Sequence, residues 1–130
     1  MYQVVALFRN FEILSFNWSC MKAKQKDIYK IQAQICQALA NEKRLEIIHR
    51  LGESEKCYAA DLMASVGLSK TNLSQHMRVL RDAEIVVVER EGTQAAYRLT
   101  SPKVSEACEI LHGFLVERQT RRAEIGGTEK

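Results

Sequence analysis

Several absences narrow this 130-residue chain before any motif is considered. No stretch approaches the roughly 18 apolar residues of a membrane-spanning helix. Arg9 and Glu12 interrupt the N-terminal apolar stretch, so no secretory leader is evident. Cys20, Cys36, Cys57 and Cys108 form no CxxC and no close pair, which argues against a disulfide scaffold and for reduced thiols in a cytoplasmic protein. There is no glycine-rich phosphate loop, no paired-histidine metal motif and no nucleophile elbow, so an enzyme has little support. Repeats and low-complexity blocks are missing too.

What is present suits one domain: 46% hydrophobic residues are enough for a core, and a net charge of +3 permits an anionic partner without demanding one. The opening MYQVVALFRNFEILSFNWSC is unlike the rest, rich in Phe, Val, Leu and Ile, and it stops just before a second methionine, Met21. It reads either as an extension from a start codon assigned too far upstream or as a short strand or helix covering an apolar patch. Residues 1–25 are therefore set apart as an N-terminal extension, 26–119 as the folded domain, and the polar, glycine-containing 120–130 as a flexible tail.

Within the domain the apolar spacing is helical. Ile28, Ile31, Ile35 and Leu39 predict a first amphipathic helix over Lys26–Ala40. Asn41 is placed to cap a second, with Leu45, Ile48 and Leu51 inside and Gly52 closing it. A short third helix covers about Ala59–Val66, stopped by Gly67. Ser69 caps a fourth, whose apolar stripe is Leu73, Met77 and Leu80 and which ends at Asp82 and Ala83. The period then changes, and Val86–Glu91 and Ala95–Thr100 read as a hairpin about Gly92. Ser101-Pro102 restarts a last helix to about Gln119, with Val104, Cys108, Leu111 and Leu115 on one face.

The fourth helix is unusual in composition. Ser, Thr and Asn compete with the helical backbone for hydrogen bonds and are costly in a helix interior, yet here they crowd the outer face. A short helix, a tight turn through Gly67-Leu68 and a polar-fronted second helix describe a helix-turn-helix. In that motif the second helix enters the DNA major groove, whose edges offer hydrogen-bond donors and acceptors. Ser69, Lys70, Thr71, Asn72, Ser74, Gln75, Arg78 and Arg81 are the candidate contacts, and Arg90 is placed on the hairpin to reach phosphates or the minor groove. The expected fold is thus mainly α with a small β-hairpin wing, a winged helix-turn-helix. The same fold also serves as a protein-docking module, but such a version would carry apolar residues where this chain carries Lys70, Arg78 and Arg81.

The segments ALANEKRLEIIHRL (38–51) and ADLMASVGLSKTNLSQHMRVLRDAEIVVVEREGTQAAYRL (60–99) resemble the ArsR-type winged-helix repressors. The first matches the family's "AL-x-x-x-x-R-L-x-I" helix start. The second matches its "L-S-x-x-x-x-S-x-H-L-x-x-L" recognition segment, with Met77 in place of a leucine, and the "Y-R-L" leaving the wing. The resemblance covers about Ile28–Glu117. It implies a homodimer paired through the first and last helices, a double-stranded operator with two-fold symmetry, and repression relieved by an inducer. His76 matches the family's recognition-helix histidine, with two readings: a phosphate or base contact, or a partly buried residue locking the helix to its neighbours.

The sensor patterns depart from the family. Arsenic-sensing members carry C-V-C-D-L at the third helix because As(III) takes three soft thiolates; here Tyr58 and Ala60 do not supply them, and Cys57 stands alone one residue upstream of the first such position. The zinc pattern of the last helix falls near Ser101, Lys103, Phe114 and Glu117, only one of them a plausible ligand. Cys36 and Cys108 lie on the two helices that pair in the family's dimer. They read either as packing residues or as a thiol switch or soft-metal site, with Cys57 a further sensor candidate; no metal or cofactor is assigned.

Overall fold

The computed structural model describes residues 18–127, with side chains from Asp27 onward, and the extension before residue 18 lies outside it. Helix α1 spans Trp18–Leu39. It starts earlier than Lys26 because Met21-Lys-Ala-Lys-Gln-Lys contains only good helix formers and no breaker. The chain divides into two compact units at Cys36 and Gln37. In the first, α1 leaves Ile28, Tyr29 and Ile31 exposed.

The second unit holds the remaining elements. Helix α2 (Glu42–Gly52) begins at Asn41, whose side chain accepts hydrogen bonds from the Lys43 and Arg44 backbone N–H groups. Its buried face is Ile47, Ile48 and Leu51. Leu45, expected inside, is 41% exposed, and Ile47 takes its place at 0%. The spacing 45, 48, 51 and the spacing 47, 48, 51 are both helical, and only packing distinguishes them. Helix α3 (Ala59–Val66) buries Leu62 and Val66 and stops at Gly67, which adopts the left-handed conformation at φ +70°. Helix α4 (Lys70–Asp82) is capped by Ser69, whose Oγ accepts from the Asn72 N–H at 3.2 Å. It buries Leu73, Met77 and Leu80. The chain leaves α4 through Glu84, at a left-handed φ of +59°, with Glu84 N–H on the Arg81 carbonyl and Ile85 N–H on the Leu80 carbonyl, both at 2.9 Å.

Three antiparallel strands follow the order β1-β3-β2, where β1 is Cys57–Tyr58, β2 Val86–Glu91 and β3 Gln94–Leu99. The β2–β3 hairpin turns through Gly92 and Thr93, with Glu91 opposite Gln94 and Gly92 at φ +63°. Strand β1 precedes α3 and pairs with β3, Cys57 opposite Tyr97 and Tyr58 opposite Ala96. Two residues are too few for an alternating pattern to register, so this strand has no sequence signal.

Helix α5 (Lys103–Gly127) starts as the Ser101-Pro102 pair predicts: Ser101 Oγ accepts from the Lys103 N–H at 3.3 Å and the Pro102 carbonyl from the Glu106 N–H at 3.0 Å. It continues past Gln119, because Arg121, Arg122, Ala123 and Glu124 favour helix and no breaker intervenes before Gly126. Polarity alone is no stop signal. Among the described residues, no helix is long and apolar enough to cross a membrane.

Helices α2 and α5 meet at Gly52, where a Cβ would stand 2.8 Å from the Ser105 Cβ. Ser105 is itself buried and donates to the Pro102 carbonyl at 2.9 Å. Gly52→Ala should therefore destabilise the protein by about 1–2 kcal/mol despite alanine's better helix propensity, because overlap in a packed contact costs more. Thermal melts of the single and double variants check this: Ser105→Gly should restore the loss in the Gly52→Ala background, and Ser105→Ala, which keeps the Cβ, should not.

Candidate nucleic-acid interface

Burial of Leu73, Met77 and Leu80 settles which way α4 faces. At 3.6 residues per turn the remaining positions must point outward. Lys70, Thr71, Ser74, Gln75 and Arg78 are all exposed and line one open depression on the surface. Asn72 and Arg81 are exposed beyond its edges. Ser69 serves first as the helix cap. Among the described residues the side chains of Lys70, Arg78, Arg81 and Arg90 form no ion pair or hydrogen bond, which leaves their charge available to an outside anion.

The wing shows the opposite treatment of charge. Glu89 accepts from Arg98 Nε at 3.0 Å. Glu91 holds Lys56 Nζ through one carboxylate oxygen and the Tyr58 hydroxyl through the other, the latter at 2.7 Å. Lys56 also sits 5.6 Å from the centre of the Tyr58 ring. Both wing carboxylates are thus matched, and Arg90 stands between them unmatched. Lys56 and Tyr58 come from the end of the α2–α3 connection and from β1, so this brace ties the wing to the start of the helix-turn-helix. The hydrogen bonds from Lys56 and Tyr58 hold the Glu91 carboxyl below its ordinary value of 4.5. The hydrogen bond to Glu91 raises Lys56 above 10.5. Nothing in the sequence pointed to this trio, because its members lie far apart along the chain. Between the wing and α4 lies a cleft of about 320 Å³ in which Lys70, Ser74 and Arg90 share a wall with Met63, Leu73 and Tyr97.

Two neighbouring basic residues at the start of α2 hold the motif from behind. Lys43 Nζ donates to the Val66 carbonyl at 2.9 Å, at the C-terminal end of α3, where a cation also suits the helix dipole. Arg44 donates through Nε to the Ala38 carbonyl and meets Nδ1 of His76 with Nη1 at 3.4 Å. His76 is half-buried, and burial first, then the Arg44 charge, lower its pKa below 6.5.

Cys36 is exposed on α1; Cys108 is half-buried on α5. Cys57 is half-buried on β1, with its Sγ 3.2 Å from Ser54 Oγ and 3.7 Å from the Arg50 carbonyl. Among the described residues no three His, Cys, Asp or Glu side chains are grouped to hold a metal ion.

Comparison with known proteins decides the family. The model of the bacterial regulatory protein arsR family matches residues 41–88, from the α2 cap into β2. The arsenical resistance operon repressor of Bacillus subtilis is 31% identical over 85 residues, covering 65% of this chain and 81% of the repressor. The chain belongs to the ArsR family. The HTH-type transcriptional regulator Rv0081 of Mycobacterium tuberculosis is 28% identical over 102 residues, 78% of this chain and 90% of that one. Its crystal structure superposes with a TM-score of 0.66 at 31% identity, over 74% of this chain and 96% of that chain. A homodimeric winged helix-turn-helix DNA-binding domain from Mycobacterium bovis shares the fold at a TM-score of 0.68 and 22% identity, over 75% and 90% of the two chains. As a member of this family the chain is a winged-helix DNA-binding transcriptional regulator.

The brace sets a pH window. Glu91 titrates low when folded, so its contribution is present above its ordinary value and is lost as pH falls through the lowered one. Lys56 titrates high, so its contribution is present below its ordinary value and is lost as pH rises through the raised one. Carbon-detected NMR titration should find Glu91 below an ordinary glutamate, and Tyr58→Phe should move it back up. An unmoved Glu91 in that variant would remove Tyr58 from the brace.

Proposed function

We propose that the chain acts as a homodimeric, sequence-specific repressor that lays α4 into successive major grooves of a two-fold-related operator, with the wing on the flanking backbone. One observation carries this reading: Lys70, Arg78 and Arg90, unmatched among the described residues, line two depressions that share Lys70 and Ser74 and also hold the exposed hydroxyl and amide groups of Thr71 and Gln75, while the wing carboxylates are neutralised in place. The relative from Bacillus subtilis is a repressor, which supports the direction of control. A protein with this role works beside the chromosome, in the cytoplasm, and needs no catalytic centre. Release by an inducer, implied by the family, would act through α1 and α5, which carry Cys36 and Cys108.

Dimer formation is supported by exposed apolar surface on the last helix. On α5, Ile110, Leu111, Phe114, Leu115 and Val116 are all exposed, Ile110 at 66%. Isolated exposed apolar residues are ordinary, but a contiguous run of them marks an interface. Phe114→Glu should leave the helix folded by circular dichroism and yield a monomer in sedimentation. An unchanged dimer would place the interface elsewhere.

Binding to duplex should weaken steeply with salt, because each neutralised phosphate releases counterions. Fluorescence anisotropy over a salt series tests this, and a flat response rejects the DNA reading. Gln75→Ala should cost about 1–3 kcal/mol on a specific site and little on random duplex. Arg90→Ala should weaken both alike and make the salt slope shallower. Equal losses on both DNAs for Gln75→Ala would remove that side chain from base readout.

A further inference from the structure

His76 is left with one ring nitrogen that the fold does not use. A guanidinium only donates hydrogen bonds, so Nδ1, which faces Arg44 Nη1, must be the acceptor. The neutral ring then carries its proton on Nε2. Among the described residues no group engages Nε2, and no buried side-chain nitrogen or oxygen lacks a partner. Nε2 therefore keeps access to solvent. Arg44 is in turn anchored on the Ala38 carbonyl, so the ring is held from behind by a fixed group.

The position on the helix says what this donor meets. At about 100° per residue, Thr71, Gln75 and Arg78 make the front of α4. Lys70 and Ser74 turn toward the wing, where they share a cleft with Arg90. His76 projects to the other side, toward α2. The major groove is about 12 Å wide and a helix with its side chains about 10–12 Å across. A helix filling that groove meets base edges with its front and the two phosphate backbones with its flanks. The wing-side flank is cationic through Lys70 and Arg90; the α2-side flank has His76.

We propose that His76 is a DNA-backbone ligand: Arg44 fixes its imidazole in the Nε2–H tautomer, and that N–H donates to a phosphate oxygen on the flank of the groove away from the wing. Arg44 is then a positioning residue, acting on DNA only through the ring it orients. The inference rests on the DNA reading above and adds to it a contact that reads no sequence and carries no charge. Burial of the ring supports the neutral form, since it disfavours protonation.

Two substitutions separate the ring's two jobs. In His76→Asn the side-chain oxygen takes the place of Nδ1 and keeps the acceptor for Arg44, but no donor stands at Nε2. In His76→Gln the amide N–H reaches the Nε2 position and the acceptor is lost. With the whole chain, His76→Asn should bind specific and random duplex about tenfold to hundredfold more weakly, the size of one hydrogen bond to a charged group. Its melting temperature and salt slope should stay at the wild-type values, because a neutral donor displaces no counterion. His76→Gln should bind more tightly than His76→Asn. Nitrogen NMR of the wild-type imidazole should show Nε2 protonated and its resonance moving on addition of random duplex, and Arg44→Met should mix the tautomers. Wild-type affinity in His76→Asn, a loss confined to the specific site, or a proton on Nδ1 in the wild type each overturns the assignment while leaving DNA binding intact. A wild-type protein that binds no duplex overturns the DNA reading itself and this contact with it.

Discussion

Leu73, Met77 and Leu80 enter the core from successive turns of α4, and their burial fixes the rotation of that helix about its own axis. Each such side chain contributes about 1.5–3 kcal/mol by leaving water. Turning the helix by one residue would expose these three and press Ser74, Arg78 and Arg81 into an apolar interior, where an unpaired ion costs several kcal/mol. The chemistry of the outer face therefore depends on the packing of the inner one. The Ser69 cap, the Gly67 turn and the left-handed exit at Glu84 fix where the helix starts and stops along that same axis.

Charge is distributed unevenly around this helix. On the wing, Glu89 is matched by Arg98 and Glu91 by Lys56. Exposed pairs of this kind add little to stability. Their effect is on the field: they remove two negative charges from the side of the molecule where Lys70, Arg78 and Arg90 stand without partners among the described residues. Behind the helix, Lys43 and Arg44 are turned inward onto the carbonyls of Val66 and Ala38. Basic residues thus have two separate uses within a short stretch of chain, one holding helix ends together and the other left free for an anion.

Apolar surface is distributed just as unevenly. The core gathers on α2, α3, α4 and the inner sides of β2 and β3. Helix α5 contributes to it only at its beginning, around Ser105 and the contact with Gly52, and then runs on with its leucines and Phe114 exposed. A chain of this size buries only around two-thirds of its unfolded surface. A long helix that packs by its first turns and leaves an apolar remainder suits a protein completed by assembly, the arrangement proposed for its dimer.

Much of this was legible in the chain itself. The caps at Asn41 and Ser69, the stop at Gly67, the stripe on α4 and the hairpin about Gly92 are local features, set by spacing and by a few residues with strong backbone preferences, and they stand where the pattern puts them. The outward-facing candidates on α4 follow from the same stripe. Helix lengths were less legible: α1 and α5 extend through polar helix formers such as Lys24 and Arg121, whose propensity lets a helix continue without an apolar stripe to announce it. Tertiary structure alone decided which of Leu45 and Ile47 is buried, the pairing of β1 with β3, and the contacts Lys56–Glu91, Tyr58–Glu91 and Arg44–His76. The physical reason is the same throughout. Periodicity and capping act within a turn or two of helix, whereas a side chain's partner thirty residues away is chosen only when the packed elements bring the two within reach.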